Sequence, residues 1–263
     1  MPSQRNVSDW KVWLLIWGLG SIAILALIPY MIDLLGEPLS LAAKKAGLSF
    51  NTLLAAQIAQ GVIVLGIGAR IGIWAARRVG LTFPIFDAVA AREPIHWPGR
   101  AALIAALAGL AGGGIVVLLD AFIFVPPKSV ALSGTQPAAW ESFLASFYGG
   151  ITEEVFLRLF VLSLLALGLR RLFLGHQPRG APLSPMLFWA ANILAALAFG
   201  LGHLPATAAL APLTTSLILR AIVLNGVLAL IFGELYRRWG LEMAILAHFA
   251  ADIALHVIPP LVA

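Results

Sequence analysis

Long apolar runs separated by short polar gaps set the rhythm of this chain. A helix needs about 20 apolar residues to cross the hydrocarbon core of a bilayer. Seven stretches meet or approach that length: 12–32, 53–74, 101–125, 143–169, 185–212, 213–232 and 241–258. Three tryptophans, Trp10, Trp13 and Trp17, mark the start of the first. Gly112, Gly113 and Gly114 sit inside the third, where small residues let helices approach closely. Between the runs, 35–48 mixes Glu37, Lys44 and Lys45 with apolar residues and reads as an interfacial helix or a loop. The stretch 83–99 carries Pro84, Pro94 and Pro98 and reads as a loop. The predicted fold is all-α: a polytopic transmembrane bundle of 7–8 spans. Its expected organisation is one membrane domain, with N-terminal helices over 1–137 and a core over 138–258.

Composition agrees with this pattern. Of 263 residues, 61% are hydrophobic and 11% charged, and the mean hydropathy is +0.97. A soluble domain carries about 25% charged residues. A net charge of +5 would otherwise suggest a nucleic-acid partner. Here the basic residues lie in the gaps between apolar runs, as in membrane proteins, so no nucleic-acid partner is expected. The absence of cysteine excludes disulfides, thiolate metal sites and cysteine nucleophiles. No small-residue cleavage site follows the first apolar run, so no cleavable signal peptide is read.

Lysine and arginine placement predicts orientation. With seven spans and the N-terminus inside, 11 of the 17 basic residues fall inside, 3 outside and 3 in or at the edge of spans. The outside ones are Lys44, Lys45 and Lys128. The reading is a multi-pass protein of a prokaryotic cell (inner) membrane, N-terminus cytoplasmic, with membrane lipid as its surroundings.

The informative residues are those that break the apolar pattern. A charge at the middle of a spanning helix costs about 2.5–3.5 kcal/mol, so it faces a bundle interior and marks function. The fourth run contains Glu153, Glu154 and Arg158. Glu154 and Arg158 share a face at i, i+4, with the glutamate on the N-terminal side, the better order for an ion pair. Glu153 is turned away and has no partner on its own helix, which suits a general base. The fifth run holds Phe199 and His203 at i, i+4, with Gly200 and Gly202 giving room beside them and Pro205 set to kink the helix. The seventh holds His248 and Asp252 at i, i+4, where the carboxyl could orient the imidazole. Each group has a purely structural alternative as a tie between helices. If the three faces converge, they form a polar cavity inside the membrane. Hydrolysis is the chemistry expected there: Glu153 and His203 activate water, and His248 polarises a carbonyl or holds the oxyanion.

Glu153-Glu154-x-x-x-Arg158, Phe199-x-x-x-His203 and His248-x-x-x-Asp252, in this order on successive membrane helices, resemble the three motifs of the CPBP intramembrane proteases. That family includes the type II CAAX prenyl endopeptidases and the Abi proteins of bacteriocin processing and immunity. The stretch 226–241 also resembles the family's link between the second and third motifs, and the resemblance covers about residues 138–258. It implies a helical bundle with a conical cavity and an intramembrane endopeptidase acting on a peptide or protein substrate, prenylated in the CAAX case. It implies Glu153 with His203 as the water-activating pair and His248 with position 252 as the oxyanion site. Glu154, Arg158 and Phe199 become supporting residues. Family members often carry Asn at the last motif position. Asp252 donates a hydrogen bond only when protonated. Leu157 and Leu159 replace Phe and Gly often found beside the motif arginine, a packing change expected to be minor.

No His-Glu-x-x-His, Gly-x-Gly-Asp or Gly-x-Ser-Gly motif is present, which disfavours other intramembrane protease types. The catalytic type stays open. A glutamate mechanism needs no cofactor, whereas Glu153, His203 and His248 would also make a His₂Glu set for Zn. Outside the enzymes, the same cavity would serve a transporter or an immunity or interaction protein.

Overall fold

The computed structural model describes residues 8–124 and 137–262. Arg5, one of the 11 basic residues counted as inside, and Lys128 lie outside them. Among the described residues every regular element is helical. The first half comprises α1 (Asp9–Ala26), α2 (Ile28–Lys45), α3 (Phe50–Val79), the short α4 (Pro84–Ala91) and α5 (Gly99–Phe122). The second half opens with an unbroken helical run over 139–174. It contains α6 (Ala139–Phe147), two π-helical stretches (Tyr148–Glu153 and Val155–Leu162) and α7 (Ser163–Leu174). There follow α8 (Pro185–Gly202), α9 (Leu204–Leu210), α10 (Thr215–Trp239) and α11 (Leu241–Asp252). The last passes through a π-helical turn, Ile253–Val257, into α12 (Pro259–Val262).

Among the described residues six helical stretches are long and apolar enough to cross a membrane: 9–26, 50–79, 99–122, 185–210, 215–239 and 241–262. The remaining predicted span, 143–169, lies within the run 139–174, whose middle carries Glu153, Glu154 and Arg158. The fold is thus a polytopic helical bundle.

The structure refines the expected boundaries. The stretch 12–32 is two helices. Leu27 breaks it, and Pro29, at the start of α2, can open a helix because its missing N–H would have no partner there. The proposed interfacial segment 35–48 is the later part of that second helix. The region 83–99, read as a loop, contains α4. Here Pro84 again sits in the first turn, and the Glu242 carboxylate accepts the N–H groups of Ile85 and Phe86 at 2.7 and 2.8 Å. The fifth span is interrupted at His203, one residue before Leu204-Pro205 begins α9.

Small residues let the helices approach. A Cβ at Gly109 would lie 2.0 Å from the carbonyl oxygen of Ala247, and one at Gly113 would lie 2.9 Å from that of Ala251, so α5 and α11 pack backbone to backbone. Gly114, next in the glycine triplet, faces open space. The main apolar core runs through both halves of the chain, from Val12 and Ile16 through Leu159 and Phe232 to Ala247, and a smaller cluster gathers Ala196, Phe199 and Ala229. Large side chains such as Leu103, Leu107, Leu110 and Leu118 on α5 stay exposed. In a membrane helix they are the lipid-facing surface.

Basic residues collect at one end of the bundle. Arg77 and Arg78 close α3, Arg171 lies in the last turn of α7, and Arg237 and Arg238 close α10. Short contacts tie these ends together. Gly180 N–H donates to the Arg78 carbonyl at 3.1 Å, and Leu241 N–H to the Thr82 carbonyl at 3.1 Å. The Arg170 guanidinium donates to the Ala181 carbonyl at 3.0 Å. Asp9, at the start of α1, reaches Arg77 and Arg179 at the same end.

Candidate active site

Glu153 and Arg158 sit on π-helical backbone, and Glu154 lies between the two π stretches. A π turn inserts an extra residue into the helical repeat and re-aims the side chains around it, and such turns often mark functional segments. The local sequence gives this segment close neighbours. A Cβ on Gly149 would fall 2.2 Å from Asp252 Oδ2 and 3.2 Å from His248 Nε2. One on Gly150 would fall 3.1 Å from the Ile245 carbonyl. Two glycines before the glutamates therefore seat this run against α11. On its other side, Thr152 donates to the Gly20 carbonyl of α1 at 3.2 Å.

Glu154 is the centre of the cluster and is fully buried. Its Oε1 lies 2.9 Å from Arg158 Nη1, so the i, i+4 pair expected from sequence does form. The same oxygen lies 2.7 Å from His248 Nδ1, whose N–H it accepts. This contact spans 94 residues and was not anticipated. It means that Glu154, rather than Asp252, orients the imidazole. Arg158, also buried, lies over two rings, with its guanidinium carbon 5.1 Å from the centroid of Phe199 and 5.3 Å from that of Phe232.

The other imidazole nitrogen faces an open polar gap. His248 Nε2 is 3.8 Å from Glu153 Oε2 and 3.7 Å from Asp252 Oδ1. Both separations are too long for a direct hydrogen bond, and polar groups at such a distance are commonly bridged by water. Glu153 keeps 24% of its side chain exposed, against 0% for Glu154. Adjacent in sequence, the two glutamates differ in kind: one is consumed by structural partners, and the other faces accessible space.

His203 is brought near, though less directly. Its ring packs edge-on against Phe199 with centroids 4.6 Å apart, and Phe199 in turn lies 5.9 Å from the His248 ring. His203 Nδ1 is 2.9 Å from the Phe199 carbonyl, the i−4 acceptor of its own helix. Among the described residues, no ion pair or hydrogen bond joins His203 to Glu153. Gly200 gives the expected room, a Cβ there falling 2.6 Å from Ile222 Cα, whereas Gly202 faces open space.

Phe232, on α10, escaped the sequence reading. Its ring stacks on His248 with centroids 4.7 Å apart and planes 23° from parallel, and it also underlies Arg158. It falls within the 226–241 stretch, so that motif is the signal that could have found it.

Among the described residues no three His, Asp or Glu side chains are grouped so as to hold a metal ion, which applies to Glu153, His203 and His248 as well. Glu154 engages Nδ1 of His248, which leaves Nε2 as its open nitrogen.

Comparison with known families gives one match. Residues 135–254 fit the model of the type II CAAX prenyl endopeptidase Rce1-like family. No curated protein and no solved structure matches the chain. The matched segment contains Glu153, Glu154, Arg158, Phe199, His203, Phe232, His248 and Asp252, the whole of the cluster described above. Over this segment the chain is similar to the type II CAAX prenyl endopeptidase Rce1-like family.

Proposed function

We propose that the chain is an intramembrane endopeptidase in which Glu153 activates the attacking water. The observation that supports this most is the approach of Glu153 Oε2 to within 3.8 Å of His248 Nε2, too long for a direct hydrogen bond and close enough for one water beside the two atoms to bridge them, with the Glu153 side chain 24% exposed. A water there would hydrogen-bond to Glu153 and lie beside the imidazole. Glu153 takes the water proton as the oxygen attacks the scissile carbonyl, then delivers it to the departing amine. Glu154 holds His248 through Nδ1–H, which aims Nε2 at the reacting oxygen. With a proton on Nε2, His248 donates to the oxyanion. Asp252, on the same side of the ring, and His203, one ring beyond, line the substrate approach. The reaction needs no metal in this scheme. We assign the basic end of the bundle to the cytoplasm, as lysine and arginine placement favours.

The test is hydrolysis of membrane-peptide substrates by purified protein in detergent, with prenylated and unprenylated versions of each peptide. Glu153→Gln preserves shape and removes the base. The expected loss is about 10²–10⁴-fold in rate at unchanged thermal stability. Cleavage that survives Glu153→Gln overturns the base assignment, and cleavage abolished by chelator and restored by zinc overturns the metal-free scheme.

A further inference from the structure

Arg78, Arg171 and Arg179 form a second polar cluster, remote in sequence from the motifs. They come from the last turn of α3, the last turn of α7 and the loop that follows α7. The three guanidinium groups interact electrostatically with one another at Arg78, and Asp9 is the acidic group that acts on it there. Asp9 is already divided between Arg77 and Arg179. Trp74 organises the cluster. Arg78 lies over its ring at 4.2 Å from the centroid, Arg171 approaches the same ring at 5.8 Å, and Arg78 Nη1 donates to the Trp74 carbonyl at 3.1 Å. Trp74 and Arg179 are exposed, as is Arg171.

An apolar groove of about 340 Å³ runs along the helix that presents Arg171, lined by Phe160, Val161, Leu164, Leu165, Gly168 and Leu169. Gly168 has open space where a side chain would stand. Leu164, Gly168 and Arg171 follow one another at i, i+4 and i+7, so the groove leads to the arginine on the same helix face. Tryptophan belongs at the headgroup level of a membrane protein, and basic clusters between helices there suit anionic headgroups.

We propose that this is a binding site for an anionic phospholipid. The phosphodiester sits among Arg78, Arg171 and Arg179 beside Trp74, and one acyl chain lies in the groove over Gly168. Charge complementarity selects the occupant: guanidinium groups that share one carboxylate at a membrane boundary take a phosphate, and an apolar groove on the helix face that leads to Arg171 takes the chain of the same molecule. The site is independent of the peptidase reading, since it shares no residue with the motif cluster.

The experiment is native mass spectrometry of the full-length protein, titrated with phosphatidylglycerol and with phosphatidylcholine of matched chains. Inorganic phosphate and glycerophosphate serve as soluble arms. The anionic lipid should bind about 10- to 100-fold more tightly than the zwitterionic one, given roughly tenfold or less per arginine. The triple change Arg78→Gln, Arg171→Gln, Arg179→Gln should erase that preference. Arg92→Gln with Arg100→Gln, exposed charges elsewhere, should leave it intact. Gly168→Leu, which fills the groove, should weaken the lipid while leaving the folded protein's stability unchanged. Equal binding of the two lipids overturns the proposal, as does a preference that survives the triple change or is lost equally in the Arg92/Arg100 control. If phosphate or glycerophosphate competes as well as the lipid, the groove has no part and the phospholipid assignment fails.

Discussion

Two acidic centres are buried in the bundle, and α11 connects them. At its first turn Glu242 reaches α4, where its Oε1 accepts two backbone N–H groups, those of Ile85 and Phe86. Midway along the same helix His248 reaches the π-helical stretch, where Glu154 accepts from it and pairs with Arg158. The first centre binds a carboxylate to main chain. It caps a helix start, a task that a negative charge does well because the helix dipole and the free N–H groups both favour it. The second binds a carboxylate to side chains and leaves a neighbouring carboxylate, Glu153, facing a gap. The cap engages Glu242 through Oε1 alone and faces main chain rather than other ionisable side chains. In the second centre Glu154 Oε1 holds both Arg158 and His248, and Glu153 beside it is left without a direct hydrogen bond among the described residues.

The comparison can be broken by removing each carboxylate in turn. Glu154→Ala should have the largest effect on the fold. It leaves Arg158 buried without its counter-charge and His248 without the acceptor that orients it. Breaking a buried pair costs about 3–5 kcal/mol, so thermal denaturation in detergent should show a large fall, and any folded fraction should hydrolyse nothing. A stable, active Glu154→Ala protein would mean that His248 is oriented by another group.

Glu242→Ala should cost less and in a different way. It strands two backbone N–H groups at the α4 start, a loss of about 1–3 kcal/mol. Glu242→Gln, which retains an acceptor oxygen, should recover much of it. Hydrolysis per folded molecule should be unchanged in both. If Glu242→Gln lowers the rate at constant stability, the cap is coupled to His248 through α11 and the division between the two centres fails.

The outlines of both centres differ in how far the chain announces them. The pairs on one helix are legible, because i, i+4 spacing makes Glu154–Arg158 and His248–Asp252 neighbours whatever the tertiary fold. The spans are legible because hydrocarbon demands long apolar runs. What joins the pairs is not written locally. The Glu154–His248 contact depends on how the run 139–174 meets α11, and that is set by close approaches at Gly149 and Gly150. The π-helical turns are equally hidden, since residues that form them differ little from those of an α-helix. Phe232 looks like any other phenylalanine in an apolar helix, and only the docked His248 gives it a role. Pro29 and Pro84 were readable: each could have been taken as the first turn of a new helix rather than as part of a span or a loop.

Phe232 sharpens the comparison from the aromatic side. Phe232→Leu keeps most of the volume, so stability should change by less than about 1.5 kcal/mol. It removes the ring beneath His248 and Arg158. Aromatic stacking of this kind contributes about 0.5–1.5 kcal/mol, so the hydrolysis rate should fall by up to about tenfold. A rate unchanged within twofold would show that Glu154 alone orients the imidazole.

The smallest effect belongs to an ion pair that resembles the central one in form only. Arg220 on α10 holds Asp120 on α5 through Nε and Nη2, at 2.6 and 2.7 Å. Its geometry is as good as that of Glu154 and Arg158, but its side chains are 36% and 33% exposed, against 2% and 0% for the central arginine and glutamate. Water and salt weaken such a pair to about 0–1 kcal/mol. Arg220→Gln should therefore move the melting temperature little and the rate not at all, and added salt should narrow even that difference. A loss comparable to that of Glu154→Ala would mean that lipid, rather than water, surrounds the Arg220–Asp120 pair. The distinction between the two pairs would then rest on the neighbouring Glu153 alone, and not on burial.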